Sequence, residues 1–541
     1  MKNFALLAAV ALFAALDVNA NVLYVATTSA GKGDGSSWDN ALGITADLDN
    51  YVGGVGCGDI AYLKEGTYTG KRITINPGAT FIGGFPKDAT GTDISGYNPW
   101  VYKTIIDAQK QNTTDASRQA LIKVNNMADD GTPTTLKGIT ITHCVGANST
   151  TYFGSAVNTV AAHLVVEDVV FKDNESYMGA CVIPSEGSNF YAKHCVWTGN
   201  KANTGTASCL TVRGTEGKVT NAVLEGCVMV NNSVYAGMGY GGYINAADSY
   251  TNLMMVNCYA DGGGQSIKQN GGCVRTGKDN TLHFFAFNTF CNFKCTDATP
   301  KGHIMSINNT NGLYFQGNIV TSDYLSKKND DTSVNALYFQ NSTATKYDNV
   351  KSYGYNTVTG THFLTTSNVG TFRNNATGTD DWLAPVTADV FGSNKMTEKD
   401  GRYYVEPLAK YRDVDLEEVL KNFENFDIPS CFSFANFDLS LDLFGNRRDV
   451  LTYRGAYDPN AVSVSTSAIE SVTDRAKKLT VTSLGNGNFA ITGAEGNAEV
   501  YDLSGRLVSK QTLSDGTLQL ENAASGIYLV RVANTTLKLA R

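Results

Sequence analysis

Val169-Val-Phe-Lys-Asp-Asn174, Cys195-Val-Trp-Thr-Gly-Asn200 and Cys227-Val-Met-Val-Asn-Asn232 share one pattern: a compact apolar residue, an aromatic or Met two places on, and an Asn five places on. Along the chain the first of these positions recurs as Ile139, Val169, Cys195, Cys227, Cys258, Asn288 and Asn318, at intervals of 30, 26, 32, 31, 30 and 30 residues. A period near thirty marks stacked structural repeats. Interleaved with it runs a second pattern of small, small, any, aliphatic: Gly154-Ser-Ala-Val157, Gly179-Ala-Cys-Val182, Ala207-Ser-Cys-Leu210, Gly241-Gly-Tyr-Ile244 and Gly271-Gly-Cys-Val274. Each repeat therefore offers at least two short strands.

These strands are rich in Val, Ile, Thr, Tyr and Phe and are separated by Gly, Asn and Asp, which tolerate positive φ in tight bends. Helical periodicity is nearly absent. The repeat is too short for a propeller blade and lacks a leucine-rich pattern, so the architecture it predicts is all-β, a parallel β-helix. Compact Val, Ile and Cys then fill an interior column, and the Asn five residues on suits a bend where its side chain bonds backbone amides. From Ile82 to Asn356 there is room for roughly nine coils, a rod of about 45 Å at ~4.8 Å per rung.

Composition narrows the function. Charged residues make up 17%, Gly reaches 54, and the net charge of -8 comes without a basic stripe, which argues against nucleic acid as a partner. The first twenty residues read as a secretory signal: Lys2, an apolar run from Phe4 to Leu16, and Val18-Asn-Ala20 as a cleavage site after Ala20. No later stretch approaches 18 consecutive apolar residues, so no transmembrane helix is expected. All 11 Cys follow the signal. Cys195, Cys227 and Cys258 share one column and Cys181, Cys209 and Cys273 another, which favours stacked free thiols over disulfides. Cys291 and Cys295 form a C-x3-C pair open to either a bridge or chance. Only His283 and His303 lie near it, so no metal site is expected there.

Towards the amino end, Val22-Leu-Tyr-Val25, Gly33-Asp-Gly-Ser-Ser-Trp38 and Gly58-Asp-Ile-Ala-Tyr-Leu-Lys-Glu-Gly-Thr-Tyr-Thr69 resemble the start of secreted proteins of the pectate-lyase-like, right-handed β-helix superfamily. That resemblance implies that Asn21 to Phe85 caps the open end of the helix, which an uncovered edge requires. The interleaved repeats look like those of chlamydial polymorphic outer membrane proteins, β-helical surface adhesins. Asp415 to Phe423 reads as an amphipathic helix with Leu416, Val419, Leu420 and Phe423 on one face and an Asp415/Glu418 capping box. Asp442-Leu-Phe-Gly-Asn-Arg-Arg-Asp449 with Arg454-Gly-Ala-Tyr457 resembles the closing motif that finishes the last coil of many secreted bacterial β-helices.

Residues 21–460 thus form the predicted β-helix with its caps and 461–467 a polar linker. The stretch 468–541 alternates strands and turns as a small β-sandwich would. There Val500-Tyr-Asp-Leu-Ser-Gly-Arg-Leu-Val508, Ser525-Gly-Ile-Tyr-Leu-Val-Arg-Val532 and Lys538-Leu-Ala-Arg541 resemble the type A sorting domain of the type IX secretion system. This implies a Bacteroidetes-type source, partnership with that secretion machinery, and a protein released or anchored at the outer surface.

Chemistry is harder to find. Neither G-x-S-x-G nor H-E-x-x-H occurs, and the six His are scattered. Gly237-Met-Gly-Tyr-Gly-Gly242 matches a dinucleotide fingerprint but lacks the βαβ context. A polysaccharide lyase needs a positive neutraliser for the uronate, often calcium, and a Lys or Arg base. Asp261-Gly-Gly-Gly-Gln-Ser-Ile-Lys268 with Arg275 is the best candidate and faintly resembles the Lys and Arg of chondroitinase-B-like lyases, which place about one coil between the two residues. A glycoside hydrolase would need clustered carboxylates. Glu167 and Asp168 are adjacent and, in a strand, would point to opposite faces. Asp173 falls in the following bend, where the next coils carry Gly199 and Asn231, and Asn329-Asp-Asp331 reads as a polar loop. The sequence therefore leans away from an enzyme. It favours an adhesin or glycan-binding structural protein whose partner is a polysaccharide or cell-surface ligand, with no cofactor. The alternative is a lyase, or a hydrolase, on an acidic polysaccharide, with calcium.

Overall fold

In a computed structural model, residues 20–465 form one compact unit and 466–541 belong to a second. The described residues run from 21 to 463 with interruptions, the longest at 111–119, 323–335, 341–349, 364–378 and 382–389, and resume with the strands of 480–540. The leader and its cleavage site at Ala20 lie outside them.

Three parallel sheets wind up residues 60–363, and each repeat contributes one strand to each sheet. Coil 1 is Ile60–Lys64, Gly66–Thr69 and Ile73–Ile75; coil 10 is Val350–Gly354, Thr357–Val358 and Thr361–Phe363. Ten such coils stack in sequence order, and parallel crossovers of this kind are right-handed. The repeat thus carries three strands where the sequence patterns offered at least two. The expected nine coils from Ile82 onward are coils 2 to 10.

The aromatic or Met of the first pattern is the inward column of the second sheet. Ile141, Phe171, Trp197, Met229, Ala260, Phe290, Val320 and Val358 pair rung upon rung and are buried, Phe171 and Trp197 stacking with centroids 5.0 Å apart. The aliphatic of the second pattern is the inward column of the third sheet, from Ile122 through Val157, Val182, Leu210, Ile244, Val274 and Met305 to Leu337.

A single residue with positive φ turns the chain from the first sheet to the second: Gly138, Asp168, His194, Gly226, Asn257, Phe287, Gly317 and Tyr355. Six of these eight rungs carry Gly, Asp, His or Asn, the types that enter this region most readily. At Gly226 a Cβ would lie 2.6 Å from the His194 ring and 3.1 Å from Leu443 O, so only Gly fits.

The marker follows this turn, and its side chain continues one hydrogen-bonded column whether it is a thiol or an amide. Cys195 Sγ, Cys227 Sγ and Cys258 Sγ donate to Val166 O, Ala192 O and Leu224 O, each at 3.4 Å. In the next coils Asn288, Asn318 and Asn356 donate to Met255 O, Phe285 O and Phe315 O at 2.8, 2.9 and 3.1 Å. The Asn amides also link to one another, Asn288 to Asn318 and Asn318 to Asn356 at 3.0 Å, and Asp380 ends the column by accepting from the Asn356 backbone at 2.8 Å. A second amide ladder, Asn174–Asn200–Asn232, occupies the bend after the second sheet. All ten described cysteine side chains are free, Cys291 included; that of Cys295 is outside the described set.

The cap at the amino end adds Val22–Ala26 and Leu42–Gly43 to the first sheet and buries Leu48, Val52 and Val55 against the same core as Ile73 and Ile75. The helix spans Leu416–Asn425, and Asp415 Oδ1 accepts from Glu417 N and Glu418 N at 3.0 and 3.2 Å. The second unit contains a three-stranded and a four-stranded antiparallel sheet.

The closing motif departs from expectation. Arg454 does reach coil 10, donating to Asn356 O at 3.1 Å and Thr357 Oγ1 at 3.0 Å. The rest lies lengthwise along the turn column: Gly445 beside His194, Arg448 Nη2 on Asn257 Oδ1 at 3.2 Å, and Gly455 N on Gly317 O at 2.7 Å. It is a lateral clamp over coils 5 to 10. The pattern of glycines and arginines in its sequence is blind to that difference, since a terminal rung and a lateral groove both present backbone carbonyls.

Candidate functional site

Each sheet turns one row of side chains outward, and the segment after coil 10 packs over two of these rows. Along the first sheet the outward Tyr191, Val223, Met254, Phe284 and Tyr314 are buried under Leu416, Val419, Phe432 and Leu439. Over the second, Val196, Val228, Tyr259 and Ile319 are buried under Phe391, Val405, Tyr411 and Leu443. Neither apolar cluster includes the outward row of the third sheet.

That row runs Lys123, Asn158, Ile183, Thr211, Asn245, Arg275, Ser306, Tyr338; its neighbours are in register, Ile183 and Thr211 each following the pair Val182–Leu210, and hence stand about 4.8 Å apart. Every member follows immediately after the inward aliphatic, and in coils 3 to 7 the second sequence pattern fixes its place. Arg275 is half-buried, while Asn245 and Ser306 on either side are 4% and 1% exposed. Among the described residues Asn245 Oδ1 and Ser306 Oγ have no hydrogen-bond partner, an arrangement that costs about 1–3 kcal/mol per group unless something supplies one. Burial raises the Tyr338 hydroxyl above its ordinary pKa, so it stays protonated as a donor. The row therefore offers hydroxyls, amides and two cations, Lys123 and Arg275, interrupted by the apolar Ile183, and it contains no carboxylate.

Of the two candidate lyase residues, Arg275 lies on this row and Lys268 lies outside the described residues, directly after the short strand Ser266–Ile267. Asn329-Asp-Asp331 and most of Gly237–Gly242 also fall outside. Asp261 serves the fold: Tyr259 Oη and Asn292 Nδ2 donate to its Oδ2 at 2.9 and 3.0 Å, and Gly263 N donates to Oδ1 at 2.6 Å.

The carboxylates 167 and 168 are placed differently from a strand pair. Glu167 ends its strand and meets Lys137 at 3.1 Å, whereas Asp168 is the positive-φ turn residue of coil 4. Tyr97 Oη donates to it at 3.0 Å. Burial, then the charge of Glu167, pushes Asp168 up to about 6 against the opposing pull of Lys137 and Arg402. His194 stands 3.9 Å away, but burial together with Arg402, Lys193 and Lys137 drives its pKa well down, so this contact is not an ion pair. Asp173 is in the bend, level with Gly199 and Asn231 in the column of positive φ. His283 points into the core, and burial lowers it to about 3. Among the described residues no group of three or more His, Cys, Asp or Glu is placed to hold a metal ion.

Sequence reading missed Thr211, Asn245, Ser306 and Tyr338; the offset from the small-small-x-aliphatic pattern was a sufficient signal for Thr211 and Asn245, whereas that pattern stops at Val274, before Ser306 and Tyr338. What it lacked was knowledge of which two faces the residues after coil 10 would cover.

Residues 476–541 match the family model described as the secretion system C-terminal sorting domain. The chain is therefore a type IX secretion cargo, a secreted or cell-surface protein of a Bacteroidetes bacterium that engages the secretion machinery. Comparison with curated proteins gives no match. Among solved structures the chain is similar to one titled crystal structure of pectate lyase Pel9A, with 14% identity, a TM-score of 0.39, and coverage of 81% of this chain and 96% of that one. The assignment of the fold rests on the strand order.

Proposed function

We propose that this protein is a non-catalytic glycan-binding β-helix of the cell exterior, which contacts a polysaccharide or cell-surface glycan along the outward row of the third sheet at Arg275. One observation carries the reading: apart from Ile183, the row left outside both apolar clusters is built from Lys, Asn, Thr, Arg, Ser and Tyr. Such groups recognise sugar hydroxyls, and Arg adds planar recognition of any carboxylate the glycan bears. Acid–base cleavage of a glycosidic bond draws on paired carboxylates, or on a base with a neutralising cation, and the row supplies neither pair.

The test exposes the secreted protein to a panel of uronic-acid polysaccharides with calcium, recording both binding and the ultraviolet absorbance of unsaturated products. Binding without turnover, weakened about tenfold by Arg275→Ala, a change near 1.4 kcal/mol, is the expected result. Turnover abolished by Arg275→Ala or Lys268→Ala would replace this reading with the lyase.

A further inference from the structure

We infer that Asp59 is the receptor for the amino terminus created when the leader is removed after Ala20, an ion pair that forms only in the processed protein. The backbone nitrogen of Asn21 donates to Asp59 Oδ1 at 2.8 Å, and the other carboxylate oxygen accepts from Gly56 N at 2.8 Å. The position of the Asn21 nitrogen is fixed by the sheet, because Ile60 N donates to Asn21 O at 3.0 Å and Val22 pairs with Ile60 in register.

Hydrolysis of the Ala20–Asn21 peptide bond consumes one water, leaves a carboxylate on Ala20 and an ammonium on Asn21. The nitrogen facing Asp59 thereby changes from a neutral amide to a cation, and the hydrogen bond becomes charge-assisted. Its surroundings suit a cation. Asp59, Asp129 and Asp130 all act electrostatically on the Cys57 thiol, and Cys57 Sγ contacts Asp130 Oδ1 at 3.8 Å, so the groups gathered at this corner of the cap are acidic.

The strand held this way, Val22–Ala26, lies beyond the strand Ile60–Lys64 of coil 1 and covers its edge. Processing thus tightens the cap after the leader has done its work, and a precursor retaining the leader lacks the charge. The inference is independent of what the third sheet binds.

The experiment begins with amino-terminal sequencing of the exported protein, where Asn21 is the expected first residue. Hydrogen exchange of Val22–Ala26 is then measured in four full-length secreted forms: the processed protein, its Asp59→Asn variant, a form extended by one residue before Asn21, and the extended form with Asp59→Asn. Extension keeps the donor and displaces the charge; Asp59→Asn keeps an acceptor and removes the charge. Either change alone is expected to speed exchange about twofold to fivefold, the range of an exposed pair, with no further increase when they are combined, and the difference should shrink at high salt. Two results would overturn the inference: a mature terminus elsewhere than Asn21, or an Asp59→Asn effect of equal size in the processed and extended forms.

Discussion

Replacing Asn318 by Leu tests whether the amide column is a structural element or a passive filler. Asn318 is fully buried and its side chain makes four hydrogen bonds: Nδ2 donates to Phe285 O at 2.9 Å and to Asn356 Oδ1 at 3.0 Å, while Oδ1 accepts from the Asn288 backbone and side-chain nitrogens, both at 3.0 Å. Leucine has similar bulk but strands the Asn288 N–H and the Phe285 carbonyl in the interior. At about 1–3 kcal/mol for each orphaned group, the loss is about 4 kcal/mol, or a thousandfold in the opening equilibrium of coils 8 to 10. Cysteine at the same position should restore part of it, because Cys258 makes the equivalent bond to Leu224 O at 3.4 Å. Native-state hydrogen exchange resolved by coil is the assay of choice, since stacked repeats open locally and need not unfold in one step. If Asn318→Leu left exchange in coils 8 to 10 unchanged, or if Asn318→Cys were no better than Asn318→Leu, the column would be filler and the argument would fail.

The interior histidine makes the opposite forecast: His283 lies between Leu253 and Leu313 with neither ring nitrogen bonded, so His283→Leu should raise stability by about 1–2 kcal/mol in denaturant titrations. Asp168 links stability to pH. Its folded pKa of about 6 exceeds the unfolded value near 3.8, so the folded state binds the proton first, and this group adds stability as pH falls through 6 and withdraws it as pH rises. Asp168→Asn should therefore be more stable than the parent at pH 7.5 by on the order of 1–2 kcal/mol, with the gap closing towards pH 4.5; a gap independent of pH would refute this. Arg448 is buried and donates to Asn257 Oδ1, Gly455 O, Ala456 O and Leu441 O, so Arg448→Leu should release the clamp at a cost of about 3–5 kcal/mol, read as faster proteolytic cleavage between residues 440 and 460.

Local order in the coils was legible because each coil repeats the same local problem. The compact marker, the aromatic two residues on and the small-small-x-aliphatic run report a turn, an inward column and a second inward column. Each is set by contacts with the same position one coil away, so spacing alone recovers them. The identity of thiol and amide in one column was less visible. Cys and Asn differ in every hydropathy sense, and only the shared carbonyl acceptor three residues before the preceding marker reveals that they do the same job.

The sequence by itself determined the all-β coil, its period, the inward residues, the Asp415-capped helix and the sorting domain at the end, because these depend on neighbours at fixed spacing. Only the tertiary structure decided that Asp442–Tyr457 clamps the flank of the rod, that Asp168 is a largely buried turn carboxyl, and that the third sheet keeps its polar row free of both apolar clusters. Those outcomes depend on where residues 390–457 settle against strands far earlier in the chain, as Phe434 does on His163, and that pairing of surfaces leaves no periodic trace in the chain.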